Sequence, residues 1–212
     1  MSKKIIFALF LCCASMQLFA QIEFRSGLIL SGGPSHLWNK KLDSNSEFIN
    51  AILEYEEVKF TSFIGYNAAL GYKFRLEPKP KRIFYDIDLF LGIKTFSDGY
   101  LYKYSNALST LWLHQRRDKL SFYTSLNPSF NYCLNKYFYA GAGLEPTVYF
   151  NLYNVGFRAD KFDMPLTTKI GVNLKYVELA LSYKIGFLNQ MKSDYHKSLN
   201  LNDLQLQLYI PF

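Results

Sequence analysis

Residues 203–212 read DLQLQLYIPF. Leu204, Leu206, Leu208, Ile210 and Phe212 take every second position, and Asp203, Gln205, Gln207 and Tyr209 stand between them. Successive side chains of a β-strand point to opposite faces, so a period of two separates an apolar face from a polar one. A helix needs a period of 3.6, which this stretch does not have.

The same rhythm runs back through the chain. It recurs in IEFRSGLIL, SFIGYNAALGYKF, IFYDIDLFLGIK, LSFYTSLNPSFNYCL, YFYAGAGLEPTVYF, PLTTKIGVNLKY and VELALSYKIGF, which makes eight segments with the terminal run. Soluble strands usually run to about five or six residues. These are roughly 9 to 15 residues long, and a strand tilted across a bilayer needs about 9 to 11. Only residues 47–58, EFINAILEYEEV, have a pattern that suits a helical turn or two.

The connections alternate in length. Long stretches at 33–59, 97–118, 151–163 and 189–201 are interleaved with short ones: LEPKPK with Pro78 and Pro80, Asn135-Lys136, and Lys175-Tyr176. Long, short, long, short is the pattern of an up-and-down barrel with its elaborated loops on one side. The polar face of the segments carries Glu23, Arg25, Lys73, Arg75, Asp86, Asp88, Lys94, Asn127, Asn131, Glu145, Lys169, Asn173, Glu178 and Lys184. A soluble antiparallel barrel turns its apolar face inward, and a membrane barrel turns it outward to lipid. Gly65, Gly71, Gly92, Gly141, Gly143, Gly171 and Gly186 all fall in the polar phase, as a crowded lumen requires. Aromatic residues gather near the segment ends. Tyr72, Phe74, Tyr132, Phe138 and Tyr176 fall on the short-turn side, and Trp112, Phe122, Tyr149, Phe150 and Phe187 on the loop side, as two interfacial girdles. The expected fold is therefore all-β: an eight-stranded antiparallel up-and-down transmembrane β-barrel.

Bulk properties agree with that expectation. Half of the 212 residues are hydrophobic and 18% aromatic, yet the mean hydropathy is −0.04, as fine interleaving of apolar and polar residues produces. Lys3 and Lys4, the apolar run IIFALFLCCASMQLF and the small Ala20 read as a secretory signal peptide spanning 1–20, leaving a barrel domain at 21–212. Cys12 and Cys13 belong to that apolar run, so Cys133 is left without a partner for a disulfide. Loss of Lys3 and Lys4 takes the formal charge from +7 to +5. With no basic run longer than a pair, nucleic acid is not an expected partner. No downstream apolar stretch reaches about 18 residues, which excludes a spanning helix.

Candidate chemistry is sparse. The barrel interior holds about as many acids as bases, and two lumen pairs are expected: Lys73 with Asp86 across the LEPKPK turn, and Lys175 with Glu178 beside the last short turn. Buried charges are costly unless matched, so a salt-bridged plug is favoured over a narrow channel, whose lining would carry one sign in excess. His36, His114 and His196 all fall in the long connections, and Ser35 stands beside His36. A His can act as base for a Ser, which keeps an outer-leaflet lipid-modifying enzyme as an alternative. Neighbours in extended backbone point apart, however, and no acid completes the set, so no catalytic residue is assigned. The histidines share no metal-ligand spacing, and the glycine-rich GAGLEP and SGGPS lack the strand-to-helix context of a phosphate loop, so neither metal nor cofactor is expected. Trp38, Tyr100, Tyr102, Tyr104 and Trp112 in the long connections are a candidate contact surface for a partner or glycan.

The signal peptide ending Ala-Gln, the eight alternating segments, the repeats LGYKF and KIGF, and the terminal phenylalanine resemble the small outer-membrane β-barrel proteins of Gram-negative bacteria, most nearly the broad PorT-like group. The resemblance covers the mature chain, and its motifs concern topology, not chemistry. It implies an outer-membrane, porin-like protein with both termini in the periplasm. The role expected from the residues themselves is non-enzymatic, structural or binding, and exercised through the extracellular loops. Its partners would be outer-membrane lipid, a protein outside the cell or in the periplasm, and the barrel-assembly machinery. That machinery would read Leu204, Leu206, Leu208, Ile210 and Phe212 as its signal, while Gln205 and Gln207 face the lumen beside Glu23 and Arg25. A soluble, lipocalin-like binder is the class to be excluded by detergent partitioning.

Overall fold

The computed structural model describes residues 22–42, 57–79, 82–105, 110–151, 157–159, 162–186, 188, 191–193 and 196–212. The signal-peptide reading of 1–20 and the helical pattern at 47–56 lie outside them. Thirteen strand segments follow one another: β1 (Ile22–Leu42), β2 (Glu57–Phe63), β3 (Gly65–Pro78), β4 (Ile83–Ser105), β5 (Thr110–Cys133), β6 (Phe138–Leu144), β7 (Thr147–Asn151), β8 (Phe157–Ala159), β9 (Phe162–Asp163), β10 (Leu166–Leu174), β11 (Val177–Ile185), β12 (Met191–Ser193) and β13 (His196–Pro211).

These segments compose eight staves, since β2 continues into β3, β6 into β7 and β9 into β10. Two of the three breaks fall at prolines, which have no N–H for the ladder. The chain is held there by carbonyls: Leu126 N–H donates to Pro146 O at 3.0 Å, and Glu145 N–H to Pro165 O at 2.9 Å. Every stave pairs antiparallel with its chain neighbours, and β1 closes against β13 from Gly27↔Pro211 up to Leu42↔His196. The result is a closed eight-stranded antiparallel β-barrel. The small strands β8 and β12 pair with each other, and β12 with β13, beside the main ladder.

The walls follow the alternation in the sequence. Leu28, Leu30, Leu70, Leu91, Ile93, Leu126, Ile170, Leu181, Leu204, Leu206 and Ile210 are exposed on the outside, whereas Lys73, Asp86, Lys94, Glu145, Lys169, Glu178 and Gln205 are buried within. Aromatic rings fill the space between the buried charges. Phe84 and Tyr139 pack edge to face at the short-turn end, and Phe90, Tyr123 and Tyr149 join Ile29 and Leu201 nearer the loops. Two of these rings lie over glycines on the neighbouring stave. A Cβ on Gly92 would meet the Tyr123 ring at 2.6 Å, and one on Gly171 would overlap the Tyr139 ring. Only glycine admits a ring that close to the backbone.

Four expectations are corrected. The staves run further into the long connections than the apolar pattern does: the β4–β5 ladder continues without a break from Ile83↔Tyr132 to Ser105↔Thr110, through most of the stretch 97–118. Backbone hydrogen bonding extends a hairpin past the point where an apolar face is needed. For the same reason His36, His114 and His196 lie on strands β1, β5 and β13 and not in loops. Tyr149 faces the lumen, not a girdle, because its pairing with Tyr123 places it in the inward phase of β7. Gln207 lies across from Ser31, and Gln205 hydrogen-bonds Ser31 and Asn67, so neither stands beside Glu23 and Arg25. The latter two extend beyond the end of β13, opposite Glu77 and Arg75 of β3. The side chains of Trp112 and Phe187, expected in the loop-side girdle, lie outside the described residues, as do those of Trp38, Tyr100, Tyr102 and Tyr104.

Candidate functional site: the charged lumen

Two groups of buried charge occupy the barrel. In the half nearer the short turns, β3 supplies Lys73 and Arg75, β4 Asp86 and Asp88, β10 Lys169 and β11 Glu178. Arg75 is the hub. Its Nε and Nη2 donate to the two oxygens of Asp86 at 2.7 and 2.9 Å, and Nη1 and Nη2 donate to those of Glu178 at 2.5 and 2.9 Å. A planar guanidinium is suited to holding two carboxylates at once, which the point charge of a lysine is not. Lys73 lies 3.1 Å from Asp86 and 3.4 Å from Asp88, and Lys169 lies 3.0 and 3.8 Å from the same two residues. Three cations thus face three carboxylates.

Aromatic rings complete this group. Tyr139 donates to Glu178 at 2.5 Å, and the Arg75 guanidinium sits 4.1 Å from the centre of the Phe84 ring. The negative face of a ring attracts a cation, and more strongly away from water.

The half nearer the loops holds discrete pairs. Lys94 donates to Asp203 at 2.6 Å and Lys184 to Glu145 at 2.6 Å. Glu145 also accepts from Ser125 at 2.8 Å. An uncharged chain crosses the seam between the first and last strands: Ser31 donates to Gln205, Gln205 to Asn67, and Asn67 to Ser35, at 2.8, 2.7 and 3.0 Å. Gln205 of the terminal stretch therefore fastens the closure.

Of the expected lumen pairs, Lys73 and Asp86 are brought together and Lys175 and Glu178 are not. Lys175 is a corner of the two-residue turn, with φ of 50°, and its side chain is exposed with Nζ 5.0 Å from the Tyr176 ring centre. A left-handed turn residue leaves the alternation of the strand, so Lys175 points out while Glu178 turns in to Arg75. Ser35 is buried in the seam and His36 is exposed, because adjacent strand residues face opposite ways. Leu204, Leu206 and Ile210 lie on the outer face with Phe212 at its edge, and Leu208 is half-buried there. Arg75, Asp88, Lys169, Lys94 and Asp203 were all legible as inward-facing charges, but their partners were not.

At the short-turn end the lumen opens into a cavity of about 300 Å³ lined by Arg25, Glu77, Phe84, Cys133, Lys136 and Tyr139, among others, with Arg75 and Glu178 reaching it from the charged group. Cys133 is a free thiol there.

A closed antiparallel barrel of eight strands, apolar outside and ion-paired inside, is the class that this fold and lumen define. No family model and no curated protein matches the sequence. Among solved structures the chain is similar to the outer membrane protein OprG from Pseudomonas aeruginosa, with 12% identity and a TM-score of 0.42 over 89% of this chain and 97% of that one.

Proposed function

We propose that this chain is an integral outer-membrane β-barrel protein of the small, PorT-like Gram-negative kind. In this reading it is secreted by cleavage after Ala20, both termini lie in the periplasm, and the loops extend from the cell surface. Its role is structural or binding and is exercised through those loops, with the lumen plugged by ion pairs and no catalytic centre. The observation that carries this reading is the inverted polarity of the walls. Buried lysines, arginine and carboxylates fill the interior, while leucines and isoleucines cover the outside. Large exposed apolar surfaces are rare on soluble monomers, and a hydrocarbon core satisfies this one. Closure supports it as well, since a barrel leaves no unpaired edge in lipid.

The test is electrophoretic and spectroscopic. The mature chain, refolded in detergent, should resist SDS and migrate differently before and after boiling, with a far-UV spectrum dominated by strand. Identical migration with substantial helix would reject the architecture, and partition into the aqueous phase would favour a soluble binder.

A further inference from the structure

Basic residues mark the short-turn end of the barrel. The turn between β3 and β4 carries Lys79 and Arg82, the turn between β5 and β6 carries Lys136, and the turn between β10 and β11 carries Lys175, all of them exposed. Arg25 stands at the same end, half out of the lumen. The acidic side chains of that rim among the described residues are Glu23 and Glu77, which lie 3.6 Å from Lys79 and 3.7 Å from Arg25 respectively. Arg82, Lys136 and Lys175 face no carboxylate in any ion pair found among the described residues.

The placement of these residues is informative. Each of the three short turns contributes, so the charge forms a ring around the circumference and is not gathered in one sector. The ring lies at the edge of the apolar belt, beside outward-facing Tyr85, Tyr132 and Phe138. Lys136 and Lys175 each stand next to an exposed tyrosine, with Nζ 5.6 Å from the Tyr137 ring centre and 5.0 Å from that of Tyr176. Tyrosine settles at the headgroup level of a bilayer, and a lysine beside it reaches the phosphates while its stem stays on apolar surface. A soluble acidic partner docking on one sector would be served by a clustered patch. A ring at the belt's edge matches the headgroup layer that surrounds a barrel.

We infer that the short-turn rim is a binding surface for anionic phospholipid headgroups, in which Lys79, Arg82, Lys136 and Lys175 select phosphatidylglycerol-type lipid over zwitterionic lipid in the leaflet they face. This rests on the membrane reading above. It adds a lipid class and a set of residues to that reading, and it fixes the turn end of the barrel as the lipid-selective end.

The mature chain is reconstituted in phosphatidylcholine vesicles that contain a trace of spin-labelled phosphatidylglycerol or spin-labelled phosphatidylcholine. The motionally restricted fraction of each label is then compared. One basic residue within reach of a headgroup converts to at most about a five-fold preference, so the expected ratio is about two- to five-fold in favour of phosphatidylglycerol, falling in high salt. The Lys79→Gln, Arg82→Gln, Lys136→Gln, Lys175→Gln variant should bring the ratio close to one, and the variant with arginine at the three lysine positions should keep it. A ratio of one for the unaltered protein overturns the inference. So does a ratio unchanged by the four glutamines, which would assign the preference to the loops. Failure of the membrane reading has a different signature: neither label is restricted, and boiling does not alter migration.

Discussion

Replacing Arg75 by methionine keeps an unbranched apolar stem and removes the guanidinium that is the hub of the lumen. Four charge-assisted hydrogen bonds of 2.5–2.9 Å are lost, shared between Asp86 and Glu178. The loss is uneven. Asp86 retains Lys73 at 3.1 Å and Lys169 at 3.0 Å, whereas Glu178 keeps the Tyr139 hydroxyl and Lys73 at 3.8 Å. The group passes from three cations and three carboxylates to two and three, leaving one buried negative charge uncompensated. Breaking a buried pair in this way costs about 3–5 kcal/mol. Removing Glu178 as well, as Arg75→Met with Glu178→Gln, restores the balance, and the double variant should be more stable than Arg75→Met alone by about 2 kcal/mol. The exposed pair Lys79–Glu23 is the control, with removal expected to cost less than about 1 kcal/mol. The assay is reversible urea unfolding in detergent or lipid, followed by tryptophan fluorescence across the full double-mutant cycle. A cost for Arg75→Met below about 1 kcal/mol, with no coupling to Glu178, would refute the argument. It would mean that water reaches these charges and that the ion group does not seal the barrel.

Three other outcomes are expected. The reconstituted protein should show no appreciable single-channel conductance, since paired charges and rings fill the lumen; steady ion-selective steps that vanish on changing Lys73 or Asp86 would establish a channel. Deleting Phe212, whose exposed ring lies 6.0 Å from that of Tyr72, removes little buried surface, so detergent refolding should be nearly normal while surface-exposed protein in cells falls; normal levels in cells would refute the assembly signal, and equal losses in both would indicate simple destabilisation. Gly171→Ala forces the Tyr139 ring off the backbone and away from Glu178, at a cost of about 1–3 kcal/mol by urea unfolding. The cost should shrink when Tyr139 is already alanine, and an unchanged cost would place the strain elsewhere.

The strands, their two faces and the order of the connections were legible in the sequence, because a period of two is a local property that each segment carries by itself. Leu204, Leu206 and Ile210 go outward and Asp203, Gln205 and Gln207 inward wherever β13 is placed. The ends of the staves were less legible. Beyond the apolar belt no face has to be greasy, so the pattern fades at Ser97 while the backbone ladder continues to Ser105↔Thr110. Lys73 and Asp86 could be paired from sequence, being close in the chain across a short turn. Arg75 and Glu178 could not, nor could Lys94 and Asp203, which are separated by 103 and 109 positions and meet only across the lumen. The identity of such neighbours depends on the register of every stave and on the closure of β1 against β13. Alternation decides which side chains point inward, and only the closed barrel, by fixing how far each strand is displaced against the next, decides which of them touch.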